Sequence, residues 1–340
     1  MRSVRRWPFV LLASLVVVLF VLQLFVGSVD VVLGDVWAAL TGGKVTDQGH
    51  RAIVLGIRLP QAITGLCAGA GLAVSGLLMQ TLFRNPLAGP SVLGISSGSS
   101  LGVALVLLSH PLWSTSWLPP DIALVVSAWL GAMGVLVLIL FADRRVGDGV
   151  TLLIVGLLIG YLCSALISVL EVASPAGALK GFVLWGMGSF AGVGMERLGW
   201  LVVPVMIGSA LALLSIKSLN ALLLGEDYAA TMGVAVRPVR RRLMVITGIL
   251  AGTITAFCGP IAFLGMVVPH VARGMFRTGD HAVLVPATLL CGAAGALLCD
   301  LLARGVVPGS AIPLNAVTSM LGVPVVAWIL FTGKRWSRTA

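Results

Sequence analysis

Apolar runs of about twenty residues, separated by short stretches rich in proline, glycine or charge, set the pattern of this chain. A run of that length is what a helix needs to cross the roughly 30 Å hydrocarbon core of a bilayer. Spans are predicted near 8–28, 59–81, 92–110, 121–142 and 150–170, then near 198–217, 241–258, 261–276, 281–303 and 312–331. Ten crossings fill the 340 residues and leave no stretch for a separate soluble domain. The expected fold class is an all-α polytopic membrane protein, one transmembrane domain over 1–340.

Composition strengthens that reading. With 59% hydrophobic and 10% charged residues and a mean hydropathy of +1.09, the chain lacks the polar surface to fold in water. The basic start, Arg2, Arg5 and Arg6, precedes an apolar run from Pro8 with no A-x-A cleavage site, so a retained first helix is expected rather than a signal peptide.

A net charge of +10 would raise nucleic-acid binding in a soluble protein. Here it reads as a topology signal. An even number of spans puts both basic termini on one side, and sixteen of the 22 Lys and Arg residues then fall in cytoplasmic segments against six outside. No nucleic-acid partner is expected; lipid surrounds the chain.

The chain also repeats itself. Ile63 to Gly76 aligns without gaps to Ile246 to Gly259, seven of fourteen pairs being identical, and the same register of 183 residues sets Arg58 opposite Arg241 and Pro86 opposite Pro269. A five-span unit repeated once inverts its second copy, an architecture common in transporters.

Three interruptions stand out. Ser174 to Gly194, rich in glycine around Phe182 to Met187, is too short to span and too apolar for a solvated loop, so a short re-entrant helix is expected. Leu82 to Pro90 carries Pro86 and Pro90 and cannot stay helical. From Ser218 to Arg242, Glu226 and Asp227 open a short helix that Gly233 ends, with an apolar edge of Leu222, Leu223, Tyr228 and Met232 seeking a partner. The arginines Arg240 to Arg242 that follow are read as topology charges.

Chemistry is sparse. The cysteines Cys67, Cys163, Cys258, Cys291 and Cys299 all sit in apolar runs without metal-ligand spacing, and His50, His110, His270 and His281 are scattered, so no metal site is expected. Asp300 is the clearest intramembrane ionisable residue, with Glu171 near a span end; no paired acids speak for proton or sodium coupling. No G-x-x-x-x-G-K-[ST] loop occurs, so no catalytic residue is assigned and ATP, if used, is bound elsewhere.

Several motifs carry a likeness: Arg58-Leu59-Pro60, Gly76 with Gln80, Arg84-Asn85-Pro86-Leu87-Ala88, Leu93 to Gly98, Gly259 to Gly265, Val268 to Arg273, Gly279-Asp280-His281, and Asp300 with Arg304. In these the chain resembles, from about Ile53 to Leu330, the FecCD/BtuC-type permease subunits of type II ABC importers, which take up iron-siderophore complexes, haem and cobalamin. The resemblance implies ten helices in two inverted halves, about 1–197 and 198–340, and a cytoplasmic coupling loop at 218–240. It implies ATPase coupling through Gly225, Glu226, Asp227, Tyr228, Ala229, Thr231, Met232 and Gly233. An inner gate falls on Asn85, Leu87, Asp148 and Gly149, and Ser164 and Ser168 line the path.

Arg58 and Arg304 take positions that dock an acidic binding protein. The family often has a second arginine after the proline, where this chain has Gln61, and one docking contact is thereby in doubt. Implied partners are a second permease subunit, as a homodimer or a paralogous pair, two ATP-binding cassette subunits that hold ATP and Mg, and a periplasmic or lipoprotein binding protein. The site of action is the bacterial cytoplasmic membrane, both termini inside. A ferric siderophore is the first expected cargo, haem the second and cobalamin the alternative; an ion-coupled secondary transporter is the rival class.

Overall fold

The computed structural model describes residues 7–27, 29–109, 119–146, 148–305 and 312–332. The basic termini, His110 and the stretch 306–311 lie outside them. All regular structure described is helical. The first half holds α1 (Trp7–Phe25), α2 (Leu33–Thr41), α3 (Gln48–Ile53), a π-helical turn (Val54–Arg58), α4 (Leu59–Leu82), a 3-10 turn (Pro90–Leu93), α5 (Ile95–Leu107), α6 (Pro120–Arg145), α7 (Gly149–Val172) and α8 (Ala176–Gly186). The second holds α9 (Met195–Leu214), α10 (Ile216–Leu222), α11 (Glu226–Thr231), α12 (Val236–Cys258), α13 (Leu264–Phe276), α14 (His281–Gly305) and α15 (Leu314–Thr332).

The ten predicted spans correspond to α1, α4, α5, α6, α7, α9, α12, α13, α14 and α15, and the protein is an integral membrane protein. By length and hydropathy, seven described helices suffice alone to cross: α1, α6, α7, α9, α12, α14 and the continuous segment ending in α4. The helices α5 and α13, 13 residues each, reach only about 20 Å. The connections at 83–94, which include the 3-10 turn, and at 259–263 lead into those two helices, and such backbone at membrane depth is tolerated only where protein covers it.

Helix α4 is the centre of the bundle, buried along nearly its whole length against α14, α12, α13 and α9. Glycine makes that possible. A Cβ on Gly69 would stand 2.1 Å from the Gly292 carbonyl oxygen of α14, so the two backbones touch. At the position 183 residues on, a Cβ on Gly252 of α12 would meet the Met133 and Ala132 side chains of α6 at 3.0 and 3.1 Å, a close packing of helices through side chains. Likewise α5 packs on α6 as α13 packs on α14, so the repeat seen in the sequence recurs as packing. Beyond the helices the single register fails: Pro86 lies in a connection while Pro269 lies inside α13, and the two are not equivalent.

One region departs from expectation and one agrees with it. The segment 29–58 is not a plain connection but carries α2 and α3, held by buried Asp35, which accepts from the Thr46 N–H and hydroxyl (2.9 Å each) and faces His50 Nδ1 at 2.6 Å. The His50 contact, with the Thr46 bonds, holds the Asp35 carboxyl below the usual carboxylate range. A short helix stands where one was expected, as α8. Its end is pinned by Asn315, whose amide donates to the Gly186 and Pro260 carbonyls (3.1 and 2.7 Å) while its oxygen accepts from the Ala262 N–H (3.0 Å).

Candidate functional site

The connection between α9 and α12 is two helices rather than one. Gly225, at φ +109°, breaks α10 from α11, and Gly233, at φ +84°, turns the chain out of α11, conformations that favour glycine. Leu222 is buried at the end of α10, so the exposed apolar edge is Leu223, Leu224, Tyr228 and Met232 rather than one that includes Leu222. Asp227 and Thr231 share that exposed side, while Ala229 is buried beneath. An open cleft lies between this edge and Arg84.

Arg240 and Arg241 are not mere topology charges. They lie within the first turns of α12, and Arg240 is buried: its Nη2 donates to Glu226 Oε2 at 2.5 Å and its Nη1 faces Asp143 Oδ1 at 3.4 Å. Arg241 Nε donates to the other oxygen of Asp143 at 2.9 Å. Asp143, at the end of α6, is fully buried, so it is tolerable there only because both arginines answer it.

A second tie starts at Asn220 on α10. Its Nδ2 donates to Asp280 (2.7 Å), so its oxygen faces His281, accepting from the backbone N–H (2.8 Å) and from Nδ1–H (2.9 Å). That puts a proton on Nδ1 of His281 and sets Nε2 2.8 Å from the Thr81 hydroxyl of α4, whose one proton is shared between Nε2 and the Leu77 carbonyl at 2.9 Å. Outside the span, the Ala282 N–H and the Asn220 amide hold the Asp280 carboxyl below its ordinary range.

The four residues expected to form an inner gate fall in two adjacent segments. Asn85 accepts from the Leu87 N–H (2.9 Å) in a tight turn that leaves Leu87 exposed. Asp148 caps α7, accepting from the N–H groups of Val150 and Thr151 and from the Thr151 hydroxyl; the Thr151 bonds lead in lowering its carboxyl's pKa. A Cβ on Gly149 would sit 3.4 Å from the Phe83 ring, so the two segments meet. Helix α13 clamps the first segment: His270 Nε2 donates to the Pro86 carbonyl (2.6 Å), and Arg273 Nη1 donates to Gln80 (2.6 Å). Ser164 and Ser168 lie on an exposed face of α7.

At the far end of α4 the arginines are not free surface cations. Arg58 is 3% exposed, and its guanidinium donates to the carbonyls of Leu24 and Phe25 (2.8 Å each) and Val29. Arg304 pairs with Asp300 (2.7 Å) and reaches the Val26 carbonyl (3.3 Å). Both close the C-terminal end of α1, where helix carbonyls lack partners. Gln61 is likewise turned inward, its amide facing both Asp300 oxygens at 3.2 Å, so that position carries no outward contact.

All five cysteines are free and buried, and among the described residues no group of His, Cys, Asp and Glu could hold a metal ion. The residues overlooked in the sequence are Asp143, Asn220 and Thr81. Asp143 alone left a trace, an acid set directly before Arg144 and Arg145 at the close of an apolar run.

Comparison with known proteins accords with this geometry. The chain is 37% identical over 338 residues to the hemin transport system permease protein HmuU of Yersinia pestis, covering 96% of each chain. It is 34% identical over 334 residues to the vitamin B12 import system permease protein BtuC of Klebsiella pneumoniae subsp. pneumoniae, covering 98% of this chain and 96% of that one. A solved structure described as an inward-facing conformation of a metal-chelate type ABC transporter superimposes with a TM-score of 0.83 at 31% identity, over 95% of this chain and 99% of the other. The FecCD transport family model matches residues 15–332, and the chain belongs to that family.

Proposed function

We propose that this protein is the channel-forming permease subunit of an ATP-driven importer of bulky metal chelates in the bacterial cytoplasmic membrane. One observation carries the reading: the segment from Leu223 to Met232 presents exposed Leu224, Asp227, Tyr228 and Met232, while Glu226 of α11 bonds buried Arg240 of α12 and Asn220 of the preceding α10 is tied to Asp280 and His281. An exposed apolar edge on a firmly anchored helix fits a surface on which another subunit pushes. Two ATPase subunits holding ATP and Mg supply that push at Gly225 to Gly233, on the cytoplasmic side with both termini. The segments around Asn85, Leu87, Asp148 and Gly149 form the inner gate.

A second copy packs on the exposed face of α7, where Ser164 and Ser168 interrupt an otherwise apolar surface of Tyr161, Leu162 and Val169. Hydroxyls on such a face suit a water-lined path better than lipid. The two five-span halves are inverted against each other. A binding protein delivers cargo to the outer end, where Arg58 and Arg304 contribute by fixing α1 and not by meeting its acids.

HmuU and BtuC are named for hemin and vitamin B12 and the solved neighbour for metal chelates, so the shared class, a bulky metal complex, is the cargo proposed. Against ion-coupled transport, buried Asp300 and Asp143 are both occupied in structural ion pairs. The test is uptake of haemin, cyanocobalamin and a ferric hydroxamate into sealed vesicles carrying the chain with its ATPase and binding-protein subunits. Uptake that vanishes on ATP depletion supports the reading; uptake that persists on an ion gradient without ATP overturns it.

A further inference from the structure

The end of α6 is joined to α11 through Arg240 of α12. Glu226 of α11 bonds Arg240 of α12, and Arg240 faces Asp143 of α6, which Arg241 holds from its other oxygen. Exposure falls along this row: the side chain of Glu226 is 32% exposed, that of Arg240 3% and that of Asp143 not at all. In such surroundings a charge left without its partner is far more costly than in water, so the groups shift together more readily than they part.

What α6 touches gives the row a direction. Helix α6 lies against α5 with backbone on backbone: a Cβ on Gly131 would be 2.1 Å from the Gly98 carbonyl oxygen, and one on Gly102 2.0 Å from that of Ser127. With no side chains between them, neither helix can slide without carrying the other. Helix α5 begins directly after Gly94, where the segment holding Asn85 and Leu87 ends, and a Cβ on Gly94 would meet the Gly156 carbonyl oxygen of α7 at 2.9 Å. A displacement of the inner end of α6 therefore reaches both helices beside the gate.

We propose that Asp143 is a positioning residue for transport: through Arg240 it makes α6 the lever that carries movement of α11 to α5, α7 and the gate segments. This rests on the importer reading above. It predicts a series linkage, in which breaking either joint disconnects the lever and breaking both does no further harm.

The experiment compares Asp143→Asn, Glu226→Gln and the double variant in the complete transporter, purified and reconstituted, with haemin, cyanocobalamin and a ferric hydroxamate as probes. Each single variant should lower uptake per ATP hydrolysed by about fivefold or more, the scale of one coupling interaction, and the double variant should match the more affected single one. Glu226→Gln leaves Asp143 and Arg241 paired, so it still reports if Asp143→Asn fails to assemble. Uptake per ATP equal to that of the unaltered protein, or losses that multiply in the double variant, would overturn the lever. If the unaltered protein itself shows no ATP-dependent uptake, it is the importer reading that fails.

Discussion

The two ends of the α4–α14 pair are closed by the same kinds of residue to opposite effect. At one end Arg58 and Arg304 spend their donors on carbonyls of the α1 terminus and on Asp300, a carboxylate one helical turn from Arg304. At the other end Arg240, Arg241, Asn220 and His281 join side chains of different elements, and one member, Glu226, remains half-exposed. The first arrangement completes a helix end. The second joins separate elements through side chains, which is what a site that receives and passes on motion requires. Charge alone therefore does not mark function here; what a guanidinium is bonded to does.

The largest effect expected from this contrast is at Arg58. Arg58→Glu would strand three carbonyls and set a carboxylate among them, a loss of about 3 kcal/mol or more. The expected outcome is failure to recover monodisperse protein from membranes, as judged by size-exclusion chromatography. Folded protein with merely weakened binding-protein affinity would instead show Arg58 to be a surface contact, and the contrast between the ends would collapse.

At the other end His281→Leu should be milder. The ring is fully buried, but its loss leaves Asn220 Oδ1 still bonded to the residue 281 N–H, and the Thr81 hydroxyl can turn to the Leu77 carbonyl at 2.9 Å. About 1 to 2 kcal/mol is expected, measured as a lowered midpoint of thermal unfolding in detergent. Uptake per ATP should fall more than stability does. A loss of stability as large as that of Arg58→Glu would mean that both ends are equally structural.

These expectations separate what the sequence could show from what it could not. The long spans were legible because each must be about twenty apolar residues, and the repeat because small residues such as Gly69 and Gly252 recur where helices pack closely. Gly225 and Gly233 marked the limits of α11 because few other residues tolerate their backbone angles. Burial of Arg58, Arg240 and Asp143 was not legible, since their partners lie 97 residues away in the case of Asp143 and Arg240, and 34 in the case of Arg58 and Leu24. A run such as Arg240 to Arg242 reads the same whether it faces water or a carboxylate on another helix.

The smallest effect, and the sharpest check on the quiet end, is at position 61. Gln61→Arg installs the residue often found there in the family, beside a carboxylate that Arg304 already satisfies and with Arg58 close by. The added attraction to Asp300 is opposed by burying a further cation near two others, so the terms should cancel to within about 1 kcal/mol. Because the side chain at 61 is turned into the bundle, affinity for the binding protein should change less than twofold, about 0.4 kcal/mol. Titration of that protein against the unaltered transporter and the Gln61→Arg variant, both reconstituted, decides the matter. A tenfold gain in affinity would show that an arginine here reaches the surface, and that the closed end of the α4–α14 pair is also a place where a partner lands.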